Sequence, residues 1–84
     1  MDFIKVVDEE CNNYSIYPVS HIAVIENSGV QTMNSDTWIK FDNGVAYKIS
    51  SISCLALIDW LGNTNKKNHI FEFNCIGREV LKKH

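Results

Sequence analysis

This chain of 84 residues has an apolar share of 45%, an aromatic share of 11% and a formal net charge of −2 at pH 7. These values are typical of one globular domain and exclude a disordered chain, which lacks the apolar residues that a core needs. The negative balance disfavours general binding to nucleic acid, because affinity for phosphate backbones needs a concentrated basic surface. We therefore expect residues 1–84 to form a single domain.

The first part of the chain alternates short β-rich runs with polar turns. Phe3 to Val7 predicts a strand, residues 8–13 predict a turn, and Tyr14 to Tyr17 predicts the return strand. This strand should end at Pro18 or lie at a sheet edge, because proline cannot donate a hydrogen bond to a neighbouring strand. Ile22 to Ile25 predicts a third strand.

Residues 36–50 predict a β-hairpin whose register can be worked out from the side chains. A two-residue Asn43-Gly44 loop would mix apolar and charged side chains on one face. A three-residue loop over residues 42–44, with Gly44 in the left-handed conformation, separates them. One face then carries Thr37, Ile39, Phe41, Val45, Tyr47 and Ile49, and the other carries Trp38, Lys40, Ala46 and Lys48.

An apolar segment after the hairpin predicts the main helix, from about residue 52 to residue 61. Ser50 or Ser51 can cap its start, and Gly62 stands at its end. At about 100° per residue, one arc of this helix is apolar and should pack on the sheet. The expected core arc contains Cys54, Leu55, Leu57, Ile58 and Leu61, while Ser53, Ala56, Asp59 and Trp60 face the other way.

Ile70 to Ile76 predicts a further strand, and the residues from Gly77 onward predict a basic tail with at most one helical turn. The fold class expected from these elements is a small two-layer α+β domain. Its antiparallel sheet should have about five or six strands, with the helix at about 52–61 packed on one face.

The turn and strand signals of residues 14–61 resemble those of the FlbD-like family of small flagellar-operon proteins. The resemblance rests on Tyr14-Ser15-Ile16-Tyr17-Pro18, Ile22, Ile25-Glu26, Asp36-Thr37, Ile39, Asn43-Gly44 and Ile49-Ser50. It implies a sheet that leads into a short helix. It concerns the fold only, and no flagellar role is carried over from it.

Cysteine usage and hydropathy bear on location and on cofactors. Cys11, Cys54 and Cys75 are an odd number at wide spacing without a C-x-x-C motif, which indicates free thiols in a reducing compartment. No segment resembles a signal peptide or approaches the roughly 20 apolar residues that span a bilayer. We expect a soluble cytoplasmic protein with no membrane partner, no metal and no other cofactor.

Catalytic residues are the first functional class to weigh. A hydrolase would need a nucleophile beside a base, and the candidates are the three cysteines with His21 and His69. These residues are scattered along the chain, and no glycine-rich phosphate loop is present. We therefore expect that the protein is not an enzyme.

Binding residues are the second class, and here the two tryptophans stand out. Trp38 on the outer sheet face and Trp60 off the main helix arc are poorly explained by a two-layer core, so with Lys40 and Lys48 they form the expected contact set. Residues 8–10, which are Asp8, Glu9 and Glu10, form an alternative acidic patch for a basic partner. The competing explanation is that these tryptophans pack within the fold.

The function expected from this pattern is a small protein-binding or inhibitory module that occupies a partner protein's surface. By size and type it is similar to phage or mobile-element products such as inhibitors of host defence and immunity proteins. A self-complementary patch would make a homodimer. The alternatives left open are a dimer that sequesters a small ligand or nucleotide and a weak nucleic-acid binder that uses Trp38, Lys40 and Lys48.

Overall fold

The computed structural model describes residues 1–28 and 36–81. Within these ranges the chain forms an α+β domain, as the sequence predicts. The elements in chain order are β1 (Phe3–Asp8), β2 (Asn13–Pro18), a short 3-10 helix (Val19–His21), β3 (Ile22–Ser28), β4 (Asp36–Phe41), β5 (Val45–Ile49), α1 (Ser51–Gly62), β6 (Ile70–Asn74) and β7 (Gly77–Val80).

The described strands number seven and divide between two sheets, where the sequence analysis expects one sheet of five or six. The three-stranded sheet has the order β2-β1-β6, with β1 antiparallel to β2 and parallel to β6. The four-stranded sheet has the order β3-β4-β5-β7 and is antiparallel throughout. The chain passes between the sheets three times, after Pro18, through α1 and the loop that follows it, and again at residues 75–76. Pro18 ends the edge strand β2, as expected for a residue without an N–H donor.

The segment from Gly77 onward is a β-strand, and the prediction of a basic tail with a helical turn is wrong for residues 77–80. This strand, β7, pairs with the open edge of β5. The backbone N–H of Ile76 donates to the carbonyl of Lys48 at 2.8 Å, and that of Leu81 donates to Gly44 at 2.6 Å. The edge of β5 therefore supplies hydrogen-bond partners that no local pattern in the segment reveals.

The predicted register of the β4–β5 hairpin is confirmed. Ile39 lies opposite Tyr47, and Trp38 lies opposite Lys48. The backbone N–H of Gly44 donates to the carbonyl of Phe41 at 3.1 Å, and Gly44 has a φ of +85°, which an L side chain rarely adopts. The three-residue loop therefore decides which face of each strand is buried.

The core lies between the two sheets and is closed by α1. Its buried side chains are Ile4, Val6 and Phe73 from the three-stranded sheet, Ile39, Phe41, Val45, Tyr47 and Ile49 from the four-stranded sheet, and Cys54 and Leu57 from α1. The sequence predicts that the helix alone covers the inner face of the four-stranded sheet, but the three-stranded sheet shares this face. Only a narrow arc of the helix is therefore needed to close the core.

The sequence-based assignment of the helix face is wrong for three residues. Leu55 and Ile58, expected in the core, are exposed, while Trp60, expected to face away, packs partly buried against the core. The expected ends of the helix are confirmed. The Ser50 hydroxyl accepts a hydrogen bond from the backbone N–H of Ser53 at 3.2 Å, so Ser50 is the N-cap.

Thr37 is a polar residue on the buried face of β4. It is 1% exposed, and its hydroxyl has no hydrogen-bond partner among the described residues. A buried hydroxyl without a partner loses its hydrogen bonds to water on folding, which costs about 1–3 kcal/mol.

We expect Thr37→Val to raise the free energy of unfolding by about 1 kcal/mol, because valine keeps the shape of threonine and removes the unpaired hydroxyl. Urea unfolding curves measure this change. The same substitution at Thr64, which is exposed in the loop after α1, is the matched control and should leave stability unchanged. A loss of stability in Thr37→Val would show that the hydroxyl has a partner after all.

Candidate functional site

The outer face of the four-stranded sheet carries Trp38 and both lysines of the expected contact set. A row across the sheet contains Glu26, Trp38, Lys48 and Gly77, one residue from each strand. The next row contains Val24, Lys40, Ala46 and Glu79. Ala46 is buried, so we call the other seven residues the Trp38 surface.

The side chain of Trp38 is partly buried, and its ring lies over its own sheet. A Cβ atom placed on Gly77 would lie 3.3 Å from the Cβ of Lys48 and 3.9 Å from Cη2 of Trp38. The indole therefore extends across the Lys48 strand toward β7, where glycine leaves room for it. Strand pairing sets the face from which the ring projects, and the missing side chain at Gly77 leaves the space beside its Cη2 edge.

Charges of both signs surround the indole. Glu26 lies beside Trp38 on β3, and its Oε2 pairs with Nζ of Lys40 at 2.9 Å. The side chain of Lys40 is 29% exposed and that of Glu26 is 55% exposed, so the ion pair is in contact with solvent. The Trp38 surface is thus an aromatic centre with a mixed, charged rim.

Trp60 lies away from this surface, and the fold accounts for it. Its ring packs against Phe71, with 5.6 Å between the ring centroids, and Nζ of Lys66 lies 4.2 Å from the centre of the indole. Its Nε1–H donates to the carbonyl of Asn68 at 2.8 Å. The structure therefore does not bring Trp60 together with Trp38, Lys40 and Lys48.

The same region ties the loop after α1 to the N-terminal segment. Nζ of Lys66 lies 2.6 Å from Oδ2 of Asp2, and Nδ1 of His69 lies 2.7 Å from Oδ1 of Asp2. Hydrogen bonds from Lys66 and then His69 hold the pKa of Asp2 below its ordinary value. These contacts organise the loop around Trp60.

The alternative acidic patch, Asp8 to Glu10, forms the turn between β1 and β2. Oδ1 of Asp8 accepts from the backbone N–H groups of Glu10 and Cys11 at 3.2 and 3.3 Å, and Nδ2 of Asn74 donates to Oε1 of Glu9 at 2.9 Å. Asp8 and Glu9 therefore help to build the turn, while Glu10 is exposed.

A groove of about 570 Å³ lies between this turn and the segment that leads into β7. Its polar lining combines the three carboxylates with the guanidinium of Arg78, and its other lining residues are Cys11, Cys75, Ile76, Gly77 and Val80. This volume lies within the range of small-molecule pockets, which runs from about 300 to 1,000 Å³.

The cysteines considered for catalysis have raised pKa values, and the two histidines considered with them each pair with a carboxylate. The negative charge of Asp8 raises the pKa of Cys11, and burial raises the pKa values of Cys54 and Cys75. A raised pKa favours the thiol, which is a far weaker nucleophile than the thiolate. Nδ1 of His21 pairs with Asp42 at 3.2 Å, and His69 pairs with Asp2.

Two features are absent from residues 1–28 and 36–81. No helix in these ranges is long and apolar enough to cross a membrane. No group of three or more histidine, cysteine, aspartate or glutamate side chains in the same ranges is arranged to hold a metal ion.

Sequence reasoning missed the residues that come to these sites from distant strands. Glu26 and Gly77 join Trp38 only because β3 and β7 pair with the hairpin, and Arg78 joins the acidic turn only because β7 follows β6. It also missed the exposed aliphatic residues of α1. A signal for these was present in the sequence, since a helix that is apolar on several faces cannot bury all of them against one sheet.

Comparison with known proteins does not identify a relative of this chain. No protein-family model, curated protein or solved structure matches the chain, and the resemblance to the FlbD-like family stays a prediction.

Proposed function

We propose that this protein is a small protein-binding module that acts by occupying the surface of a partner protein, with the Trp38 surface as its contact. The observation that carries the proposal is the position of Trp38, which lies on the outer face of a sheet and is flanked by Glu26, Lys40 and Lys48.

This arrangement suits protein recognition for two physical reasons. Tryptophan is enriched among the residues that dominate binding energy, and a ring that is already partly buried against its own sheet has less conformational entropy to lose when a partner covers it. Charges of both signs at the rim contribute to specificity, because a mismatched partner would leave a charge unpaired.

The charges on the same face favour a protein over a nucleic acid as partner. Glu26 lies beside the indole, and Glu79 lies opposite Ala46 in the next row. Carboxylates at these positions repel phosphate groups, and the net charge of −2 acts in the same direction. A nucleic-acid binder would instead be retained on single-stranded oligonucleotides with an affinity that falls with salt.

We expect Trp38→Ala to weaken partner binding by about 30-fold or more, as is typical when a central tryptophan contact is lost. Affinity capture with immobilised protein identifies the partner, and calorimetry on the purified pair then measures the affinity. Tyr14→Ala is the matched control, because Tyr14 is an exposed aromatic residue on the three-stranded sheet. Full binding by Trp38→Ala together with loss of binding by Glu9→Lys would assign the contact to the acidic turn.

The second candidate function is binding of a small ligand, and the groove beside the acidic turn favours it. Its three carboxylates and one guanidinium suit a ligand with a cationic group. A melting shift with polyamines that Glu9→Lys abolishes would support this candidate. The absence of any such shift would remove it and leave the Trp38 surface as the site.

A further inference from the structure

The solvent-facing side of α1 is apolar over most of its length. Ile52 is 83% exposed and Leu55 is 69% exposed. Ala56 and Asp59, both exposed, complete this side of the helix. At about 100° per residue these four residues point away from Cys54, Leu57 and Leu61, which pack toward the core. We call the four exposed residues the α1 stripe.

The α1 stripe is complementary to itself when two helices run antiparallel. A two-fold axis between positions 55 and 56 places Leu55 against Ala56 of a second copy, so that a large side chain meets a small one twice. The same axis places Ile52 against Asp59 of the second copy. The spacing of residues 52, 55 and 59 is the spacing by which paired helices contact each other along a common seam.

The electrostatics of α1 favour the same arrangement. Its first turn carries no acidic residue, and the Ser50 hydroxyl accepts only from the N–H of Ser53, which leaves the N–H groups of Ser51 and Ile52 without a described acceptor. In the antiparallel pair, the carboxylate of Asp59 approaches this positive end of the other helix. A parallel pair would instead bring the two Asp59 carboxylates together.

We propose that the α1 stripe is the interface of a homodimer in which two α1 helices pack antiparallel across a two-fold axis between Leu55 and Ala56. We expect the self-association to be weak, because only four side chains of each copy form the contact, whereas a standard interface buries about 800 Å² per partner. The interface is separate from the Trp38 surface, so a dimer presents that surface twice. The inference stands whether or not the proposed function is correct.

Sedimentation over a concentration series through the micromolar range tests the dimer. The wild-type chain should change from monomer to dimer, and Leu55→Glu should remain a monomer at every concentration. Ile16→Glu is the matched control, because Ile16 is 50% exposed on the three-stranded sheet, and it should associate as the wild type does. Both variants should fold, because neither position is buried, and circular dichroism checks this.

Cross-linking tests the orientation of the helices, with Cys11→Ser as background to remove the exposed native thiol. An oxidised mixture of Ile52→Cys and Asp59→Cys chains should form mixed disulfide dimers far faster than either variant alone. A wild type that stays monomeric, or one that Ile16→Glu rather than Leu55→Glu dissociates, would overturn the interface. Faster cross-linking of Ile52→Cys with itself would overturn the antiparallel arrangement.

Discussion

Replacing Leu57 with alanine should lower the free energy of unfolding by about 2–5 kcal/mol. Leu57 is 0% exposed and belongs to the core to which α1 and both sheets contribute. Truncation removes buried methyl groups and leaves a cavity that the two sheets, each held by its own backbone hydrogen bonds, can fill only in part. For a domain of this size the loss is a large share of the total stability.

The matched control lies two residues earlier in the same helix. Leu55→Ala is the same chemical change at a position that is 69% exposed, so stability should change by no more than about 0.5 kcal/mol. Urea unfolding at a protein concentration low enough to keep the chain monomeric compares the two variants. Equal losses of stability would mean that Leu55 is buried, which would contradict the position of the helix and remove the α1 stripe.

Alkaline pH should destabilise the protein through Tyr47. Burial, followed by the hydrogen bond with the hydroxyl of Tyr17, raises the pKa of Tyr47 to about 12. The unfolded chain releases this proton near pH 10, the ordinary value, whereas the folded protein keeps it. The contribution of Tyr47 to the free energy of unfolding is therefore fully present below pH 10 and is lost as the pH rises from about 10 to about 12.

Unfolding curves at a series of alkaline pH values measure this loss. Tyr47→Phe should be about 1 kcal/mol less stable at neutral pH, because the 2.9 Å hydrogen bond to Tyr17 is lost. The same variant should lose most of the slope between pH 10 and 12. Tyr14→Phe, which removes an exposed phenol, is the control and should keep the slope of the wild type. An unchanged slope in Tyr47→Phe would assign the alkaline transition to other groups.

The hairpin shows how much of the candidate site the sequence predicts. Alternation of apolar and polar side chains, together with a glycine that accepts a φ of +85°, leaves only one register that separates the faces. Trp38, Lys40 and Lys48 were therefore assigned to one outer face from local information alone. Their neighbours Glu26 and Gly77 could not be assigned, because the pairings that bring them there join distant parts of the chain.

The helix shows where prediction from the sequence fails and why. Its ends follow from local chemistry, since the Ser50 hydroxyl caps the first turn. The arc that it buries depends on what it packs against. A helix packed alone on one sheet, as the sequence predicts, would have a wide arc covered. The second sheet supplies Ile4, Val6 and Phe73 to the same core, so Leu55 and Ile58 remain in solvent.

By itself, then, the sequence determined the α+β class, most strands, the limits of the helix and the two faces of the hairpin. These depend on side-chain alternation, turn geometry and capping, which act over a few residues. Only the tertiary structure decided the division into two sheets, the pairing of β7 with β5 and the exposed side of α1. Those features depend on which distant segments compete for the same core and the same strand edge, and no local pattern records that competition.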